Sequence, residues 1–443
     1  MTSILSVGRR RTKLVTLASA QWAAALIMTV LGELRSVPLD AELCSGWVLC
    51  QSEFSLRWLR FAHLGWAPVV GLLVLWTTLH AWRRHRGDKV LLPLTTVTAV
   101  LIAGQALAGG VLASRGAPQH LVVLHRMSAF AVWIALTTLV LVAGLRPTEA
   151  QKAHAGSSLA RARDFLALGK PIIVALLLLT TFAGLVAGGR AWPPFPLAAW
   201  TLIGGALAAA GSSALNQYID RNIDRNMQRT SRRPLAAGRL TPAEGLSFGL
   251  ALCLASYYVL ACFVNFLAAF LSLAGIIYYV LFYSMLLKMS TVQNIVIGGG
   301  AGAIPPMVGW AAATGRIDLA AWILFGIVFM WTPPHFWALA LVRRRDYERA
   351  GVPMLPAVHG ERATRDQILI YTIFLVAVSL LLVAFGLAGV LYTVSALALG
   401  GLLLLSAYRV WRWGGNRLAW MMYRWSSMYL ALLFLAIAAD ALL

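Results

Sequence analysis

The sequence NQYIDRNIDRNMQRTSRRPLAAGRL, residues 216–240, lies between two long apolar segments of a chain that is 60% hydrophobic and 12% charged. Asn216, Asp220 and Asp224 are spaced four residues apart in it, so they share one helix face if the preceding apolar helix continues through them. Carboxylates at this spacing suit Mg²⁺, which typically takes one or two carboxylates and completes its shell with water and substrate phosphates. The stretch therefore predicts a helix end that binds a divalent cation.

The same stretch is rich in arginine, with Arg221, Arg225, Arg229, Arg232 and Arg233 close to the acids. A guanidinium group binds phosphate oxygens as a planar fork. A diphosphate substrate, held partly by metal and partly by arginine, would explain why both signs of charge occur together. The alternative is a polar loop stabilised by ordinary aspartate and arginine pairs.

A second polar cluster occurs in PPHFWALALVRRRDYERAGVPMLP, residues 333–356, where Asp346 directly follows three arginines, the last of them Arg345. It also comes after a long apolar run. Two clusters of acid and arginine at helix ends fit two metal ions that grip one diphosphate.

The rest of the chain is dominated by apolar runs, and its mean hydropathy is +0.76. A membrane-spanning helix needs roughly 20 mainly apolar residues. The sequence shows thirteen such runs, the first beginning near residue 14 and the last near residue 419. We therefore expect an all-α, polytopic membrane protein with about 13 transmembrane helices.

Basic residues alternate from one connection to the next along the chain. Connections on the side of the N-terminus hold 29 Lys and Arg residues, and those on the other side hold six. Short basic loops stay in the cytoplasm, which predicts a plasma-membrane protein whose N-terminus and acidic motifs are cytoplasmic. The net charge of +21 then reflects topology and attraction to anionic membrane lipid, and no soluble basic domain is left to bind nucleic acid.

The longest polar connection, residues 146–163, separates four predicted helices from nine. We expect a four-helix membrane domain at residues 1–145, a cytoplasmic linker at 146–163 and a second membrane domain at 164–443.

Three segments of the second domain carry a family resemblance: NQYIDRNIDRNMQRTSRRPL, LLKMSTVQNIVIGGGAGAIPPMVGW at residues 286–310, and PPHFWALALVRRRDYERAGVPMLP. They resemble the signature segments of the protoheme IX farnesyltransferases (heme O synthases), a branch of the UbiA-type intramembrane prenyltransferases. The resemblance covers about residues 164–443. It implies that Asn216, Asp220 and Asp224 form the first metal and diphosphate motif, that Asp346 belongs to the second, and that Mg²⁺ is the metal.

The same resemblance implies transfer of a farnesyl group from farnesyl diphosphate to a vinyl group of heme b, for heme O and heme A biosynthesis and cytochrome oxidase assembly. Met289 follows Lys288 where the family usually has arginine, which places more of the diphosphate charge on the remaining cations. The candidate diphosphate ligands are Arg221, Arg225, Arg232, Arg233, Lys288 and Arg345. A quinone or chlorin acceptor is one alternative, and a bis-histidine heme carrier or electron-transfer protein is another.

Aromatic residues near these motifs could stabilise an allylic cation through their ring faces, or could simply be packed: Tyr278, Tyr279, Tyr283, Phe336 and Trp337. His335, beside two prolines, could coordinate heme iron or bind a propionate, or could cap the backbone.

The first domain carries its own candidate residues. Cys44 and Cys50 lie in a loop predicted to be external, where a disulfide can form. His63 and His125 lie at similar depth on the second and fourth helices, and two facing imidazoles in a four-helix bundle are a natural axial pair for heme.

This arrangement resembles one half of heme A synthase over about residues 12–145. Arg60 stands where that family carries a glutamate, and Leu64 where an arginine is usual. We therefore expect bound heme, or docking of heme A synthase or a cytochrome oxidase assembly factor, rather than oxidation of heme by this domain alone.

Overall fold

The computed structural model describes residues 2–36, 53–115, 119–145 and 158–443, and every regular element in these ranges is helical. The first group of helices is α1 (Thr2–Ser36), α2 (Glu53–Arg84), α3 (Leu91–Arg115) and α4 (Gln119–Leu145). The next is α5 (Ser158–Leu168), α6 (Pro171–Gly189), α7 (Phe195–Arg225), α8 (Pro242–Phe263), α9 (Phe266–Ile277) and a π-helix (Tyr278–Leu287). The last is α10 (Asn294–Thr314), α11 (Leu319–Val342), α12 (Arg344–Arg349), α13 (Leu355–Val358), α14 (Gly360–Ala384), α15 (Val390–Trp413) and α16 (Asn416–Asp440).

Thirteen helical segments among the described residues are long and apolar enough to cross a membrane, with α9 and the π-helix forming one span. This confirms the prediction of an all-α polytopic membrane protein. Helices are expected because a backbone in hydrocarbon must satisfy its hydrogen bonds within the segment.

The chain divides into two compact units. One comprises Met1–Ala155 with Thr241–Ser247, and the other comprises Gly156–Leu240 with Phe248–Leu443. The predicted boundaries at 145 and 164 remain predictions, since most of the proposed linker lies outside the described residues.

In the first unit, α1 to α4 form a bundle in which each helix packs against its neighbours in sequence and α4 returns to α1. The α1–α4 contact includes an edge-to-face pair of Trp22 and Trp133, whose ring centroids are 5.3 Å apart. The Trp133 indole also donates to the Thr29 hydroxyl at 3.1 Å. The unit is thus built around small apolar clusters and interhelical bonds of this kind.

In the second unit, α10 packs closely against α6 because glycines remove the side chains between them. A Cβ at Gly309 would lie 1.9 Å from the Thr181 carbonyl oxygen, and one at Gly184 would lie 2.2 Å from the Pro306 carbonyl oxygen. Small residues at such positions let membrane helices approach through their backbones. α6 also packs against α7, which carries the first polar motif, and α10 packs against α11.

Candidate active site

The last turns of α7 carry the first polar motif. Asn216, Asp220 and Asp224 are all buried, with relative exposures of 4%, 1% and 2%. The Asn216 amide nitrogen donates to Asp220 Oδ2 at 2.8 Å, so these two side chains share one face of the helix, as their spacing predicts. Buried charges of this kind require partners.

Each acidic side chain of the two predicted motifs has a cationic partner. Lys288 Nζ donates to Asp220 Oδ2, and Arg233 Nη1 lies 2.7 Å from Asp224 Oδ2. In the second motif, Arg349 Nη2 pairs with Asp346 Oδ1, and Asp346 is 5% exposed. The site therefore combines buried carboxylates with cations that can exchange partners.

Asn216 organises the environment of Asp220. Its Nδ2 group donates to Ser284 Oγ at 3.0 Å as well as to Asp220, and its Oδ1 accepts from Lys170 Nζ at 3.3 Å. The other oxygen of Asp220, Oδ1, is buried and has no hydrogen-bond partner in the described part of the chain. An oxygen in this state suits a hard cation such as Mg²⁺.

Lys170 is a site residue that the sequence analysis did not single out. It adopts a left-handed conformation, with φ of 50°, immediately before Pro171 at the start of α6, and strained backbone of this kind is often found at functional sites. Burial, followed by the neighbouring Arg233 guanidinium, lowers the pKa of the Lys170 amine to about 7, and Asp220 offsets part of this effect. The sequence feature that could have indicated this residue is the Lys170-Pro171 pair at the start of an apolar run.

The two polar motifs meet across one apolar cluster. Met227, which follows Asp224 in the chain, packs in the same cluster as Tyr347, which follows Asp346. Burial raises the pKa of the Tyr347 side chain, and the neighbouring Arg229 guanidinium offsets part of this effect. The described residues include no group of three or more His, Cys, Asp or Glu side chains close enough to hold a metal by themselves. A cation here would therefore depend on further oxygen ligands, such as those of a diphosphate.

Some of the cationic side chains predicted to bind diphosphate do not contact the carboxylates of the two motifs. Arg221 donates to the Tyr218 carbonyl and lies 4.6 Å from the centre of the Tyr218 ring. Arg225 donates to the Ala236 carbonyl at 3.0 Å, and Arg345 is exposed.

Among the other cations, the carbonyl of Arg232 accepts a bond from Arg239 at 3.1 Å. Among all the predicted cations, Lys288 and Arg233 are the ones whose contacts reach the acids of α7. Arg349, which the sequence analysis did not select, contacts Asp346.

The π-helix supplies aromatic side chains to the same region. Tyr279 and Tyr283 are stacked with their ring centroids 5.5 Å apart, and Ser284 Oγ donates to the Tyr279 carbonyl at 2.9 Å. A Cβ at Gly298 would lie 2.3 Å from Tyr283 Cδ2, so this glycine leaves room for the tyrosine ring.

The remaining aromatic candidates have packing contacts. The Tyr278 hydroxyl donates to the Ile297 carbonyl at 2.8 Å, and Phe336 packs against the cluster of Met227 and Tyr347. Trp337 is 2% exposed and meets Tyr371 edge to face.

His335 lies in an aromatic column between α11 and α16. Its ring stacks on Trp331 at 4.2 Å and on Tyr423 at 4.5 Å, and its Nδ1 lies 2.8 Å from Ser426 Oγ. Ser426 Oγ is also within hydrogen-bond distance of the Tyr423 carbonyl, at 2.8 Å. Both ring faces are covered, and the predicted role in heme binding stays a prediction.

In the first unit, His63 and His125 contact different neighbouring helices. His63 Nδ1 lies 3.0 Å from the Met28 carbonyl oxygen on α1. His125 Nε2 lies 3.3 Å from the Gln105 amide nitrogen on α3, and its ring packs against Gly109. Their pairing on one heme stays a prediction, and the predicted disulfide of Cys44 and Cys50 lies outside the described residues.

Residues 177–434 match the UbiA prenyltransferase family. The match extends over more than half of the chain and includes both polar motifs, so the chain belongs to this family. Its fold and site thus define an intramembrane prenyltransferase.

Relatives with higher sequence identity belong to one branch of this family. The chain is 39% identical to a protoheme IX farnesyltransferase of Roseiflexus sp. (strain RS-1), over 96% of this chain and 84% of the relative. It is 51% identical to a protoheme IX farnesyltransferase of Symbiobacterium thermophilum, over 63% of this chain and 94% of the relative. A solved structure from work on digeranylgeranylglyceryl phosphate synthase aligns with this chain at a TM-score of 0.55 and 15% identity. The alignment covers 64% of this chain and 99% of that one. That likeness supports the fold alone.

Proposed function

We propose that the chain transfers the farnesyl group of farnesyl diphosphate to a vinyl group of heme b and so makes heme O. The observation that carries the proposal is the set of buried carboxylates, Asp220, Asp224 and Asp346, each paired with a cation. The names of the relatives support heme b as the acceptor, whereas a quinone or chlorin acceptor has no such support. A heme carrier would not need the carboxylates.

The residues present fit Mg²⁺. The buried Asp220 Oδ1 without a hydrogen-bond partner in the described part of the chain and the neighbouring Asp224 offer hard oxygen ligands, and Asp346 offers another. When bound, the ion would supply Lewis-acid neutralisation of diphosphate charge.

The protein's own contribution is to bind and orient the diphosphate. Lys288 and Arg233 each contact a carboxylate through one donor, and both are long enough to transfer that donor to a diphosphate oxygen. Lys170, adjacent to Asn216, would gain charge beside the incoming anion, because an anion favours the protonated amine. The cations thus stabilise the leaving group as it acquires charge.

The reaction breaks the farnesyl C–O bond, and the electron pair leaves with the diphosphate. The stacked rings of Tyr279 and Tyr283 can stabilise the allylic cation at short range. The π electrons of the heme vinyl group then form the new C–C bond. Water captures the cation left on the former vinyl carbon and loses a proton, which gives the hydroxyethylfarnesyl group.

The test is mass analysis of hemes extracted from cells that express the chain, with Asp220→Asn as the inactive variant. Asp318→Asn is the matched control, because Asp318 directly precedes α11, whereas Asp346 lies in α12, beyond the opposite end of α11. We expect heme O from the wild type and the control, and none from Asp220→Asn. A farnesylated quinone in place of heme O would refute the acceptor, and full activity of Asp220→Asn would refute the site.

We further propose that the protein lies in the plasma membrane with the polar motifs in the cytoplasm. The connections that contain the polar motifs belong to the set that is rich in Lys and Arg, and this supports a cytoplasmic orientation. Residue 228 is exposed in the connection after α7. A cysteine placed there should resist an impermeant thiol reagent added to sealed cells, and labelling from outside would overturn the orientation.

For the first unit, we propose a bound heme with His63 and His125 as axial ligands. The supporting observation is the 3.0 Å contact of His63 Nδ1 with the Met28 carbonyl oxygen. A ring N–H donated to a carbonyl leaves Nε2 as the ligand nitrogen, as in many metal-binding histidines. The purified full-length protein should show a low-spin heme spectrum. If the purified protein contains no heme, the axial-ligand proposal fails, and the first unit is left with a role in docking heme A synthase or an oxidase assembly factor.

A further inference from the structure

The π-helix Tyr278–Leu287 determines which way Lys288 faces. Hydrogen bonds in a π-helix join residues five apart, and the Lys288 amide donates to the Tyr283 carbonyl at 2.9 Å. In an α-helix, with 3.6 residues per turn, Lys288 would lie about 180° around the axis from Tyr279. The wider turns instead carry both residues toward the acids of α7, where Lys288 contacts Asp220.

The end of the π-helix is anchored by Asn294, the first residue of α10. Its amide nitrogen donates to the Lys288 carbonyl at 3.2 Å, and the residue is 1% exposed. Asn294 Oδ1 is buried with no hydrogen-bond partner in the described part of the chain. Leaving a buried acceptor unsatisfied costs free energy, so the Asn294 amide is bonded through its donor side alone.

We propose that Asn294 is a positioning residue for the diphosphate substrate and acts through Lys288. This inference rests on the proposed function. The amide holds the backbone of Lys288 at the point where the π-helix ends. Without it, the last turn is free to return to ordinary α-helical bonding, because long π-helical segments are rare and poorly favoured. Lys288 would then turn away from Asp220 and from a diphosphate bound beside it.

Other hydrogen bonds also hold this segment in place, including the one from the Tyr278 hydroxyl to the Ile297 carbonyl of α10. A second is the bond from Asn216 to Ser284, at 3.0 Å, in the middle of the π-helix. Ser284 fixes the segment against α7, whereas Asn294 fixes its end against α10. The position of the Lys288 ammonium depends on both. The donor to Ser284 is the motif residue Asn216, whereas Asn294 lies outside the metal and diphosphate motifs.

The experiment is a double-mutant cycle on the full-length protein. Asn294→Leu keeps the approximate size of the side chain and removes the amide. It is compared with Gln293→Leu, a change at the exposed neighbouring residue. Each is made in the wild type and in Lys288→Met, and the affinity for inorganic diphosphate is measured in the presence of Mg²⁺. KM for farnesyl diphosphate and kcat are measured in parallel.

We expect Asn294→Leu to weaken diphosphate binding by roughly two- to tenfold, the effect of losing one neutral hydrogen bond. The loss should appear as a higher KM for farnesyl diphosphate with an unchanged KM for heme b. In the Lys288→Met background the same change should have no further effect, since coupled residues are not additive.

Equal losses in both backgrounds would overturn the proposal and make Asn294 a general structural residue. If Asn294→Leu does not purify in folded form, Asn294→Ser serves in the same cycle. A wild-type protein that binds diphosphate but makes no heme O would refute the proposed acceptor and leave the cycle interpretable. Gln293→Leu should match the wild type in every assay.

Discussion

Replacing Lys288 by methionine should change the two ligand affinities of the site in opposite directions. The ammonium group pairs with Asp220, and the two side chains are 15% and 2% exposed. In the proposed function this ammonium binds the diphosphate. While it pairs with Asp220 Oδ2, its positive charge opposes the binding of Mg²⁺ to the same carboxylate. Its removal should therefore strengthen the binding of Mg²⁺ alone and weaken the binding of diphosphate.

The magnitude follows from the contact that is lost. A hydrogen bond to a charged group contributes about 1.5–3 kcal/mol, so diphosphate affinity should fall about 10- to 150-fold. The variant also leaves a buried carboxylate without its cation, which destabilises a protein by about 3–5 kcal/mol. The melting temperature of Lys288→Met should consequently be low without Mg²⁺ and should recover when Mg²⁺ is added.

The assay is calorimetric titration of purified wild type and Lys288→Met, first with Mg²⁺ and then with diphosphate at saturating Mg²⁺. Lys89→Met is the matched control, because Lys89 is exposed in the turn between α2 and α3. If Lys288→Met binds Mg²⁺ more weakly than the wild type, the carboxylate and the diphosphate do not share this cation, and the reasoning fails.

Three further predictions concern Asp224, the contact between α6 and α10, and the histidines of the first unit. Asp224→Asn should lower the rate of farnesyl transfer by roughly 100-fold or more, because it removes one anionic ligand and the partner of Arg233. The rate is measured by chromatography of the extracted hemes, and a value near that of the wild type would contradict this prediction. Gly309→Ala should destabilise the second unit by about 1–3 kcal/mol, because its Cβ would overlap the Thr181 carbonyl. The control Gly302→Ala places its Cβ in open space and should melt like the wild type, and equal melting temperatures for both variants would show that α6 and α10 can separate at no cost. The His63→Ala, His125→Ala double variant should lose the low-spin heme spectrum expected of the full-length protein, and an unchanged spectrum would assign the heme to other ligands.

The sequence alone determined the features that depend on spacing along one segment. Thirteen apolar runs predicted the spans that the structure contains, because a bilayer requires both length and internal hydrogen bonding. The four-residue spacing of Asn216 and Asp220 predicted their shared face, because helical periodicity is local. Family resemblance in the same segments indicated the chemistry.

Only the tertiary structure decided which distant side chains meet those acids. Lys170 reaches Asn216 from 46 residues away, and Ser284 and Lys288 reach the same motif from 68 residues away in each case. By sequence alone Arg221 and Arg233 are equivalent candidates, yet of these two only Arg233 contacts a carboxylate of α7. The difference arises because a side chain's direction depends on how its helix or loop packs. The π-helix, which turns Lys288 toward Asp220, is likewise held by side-chain contacts with α7 and α10.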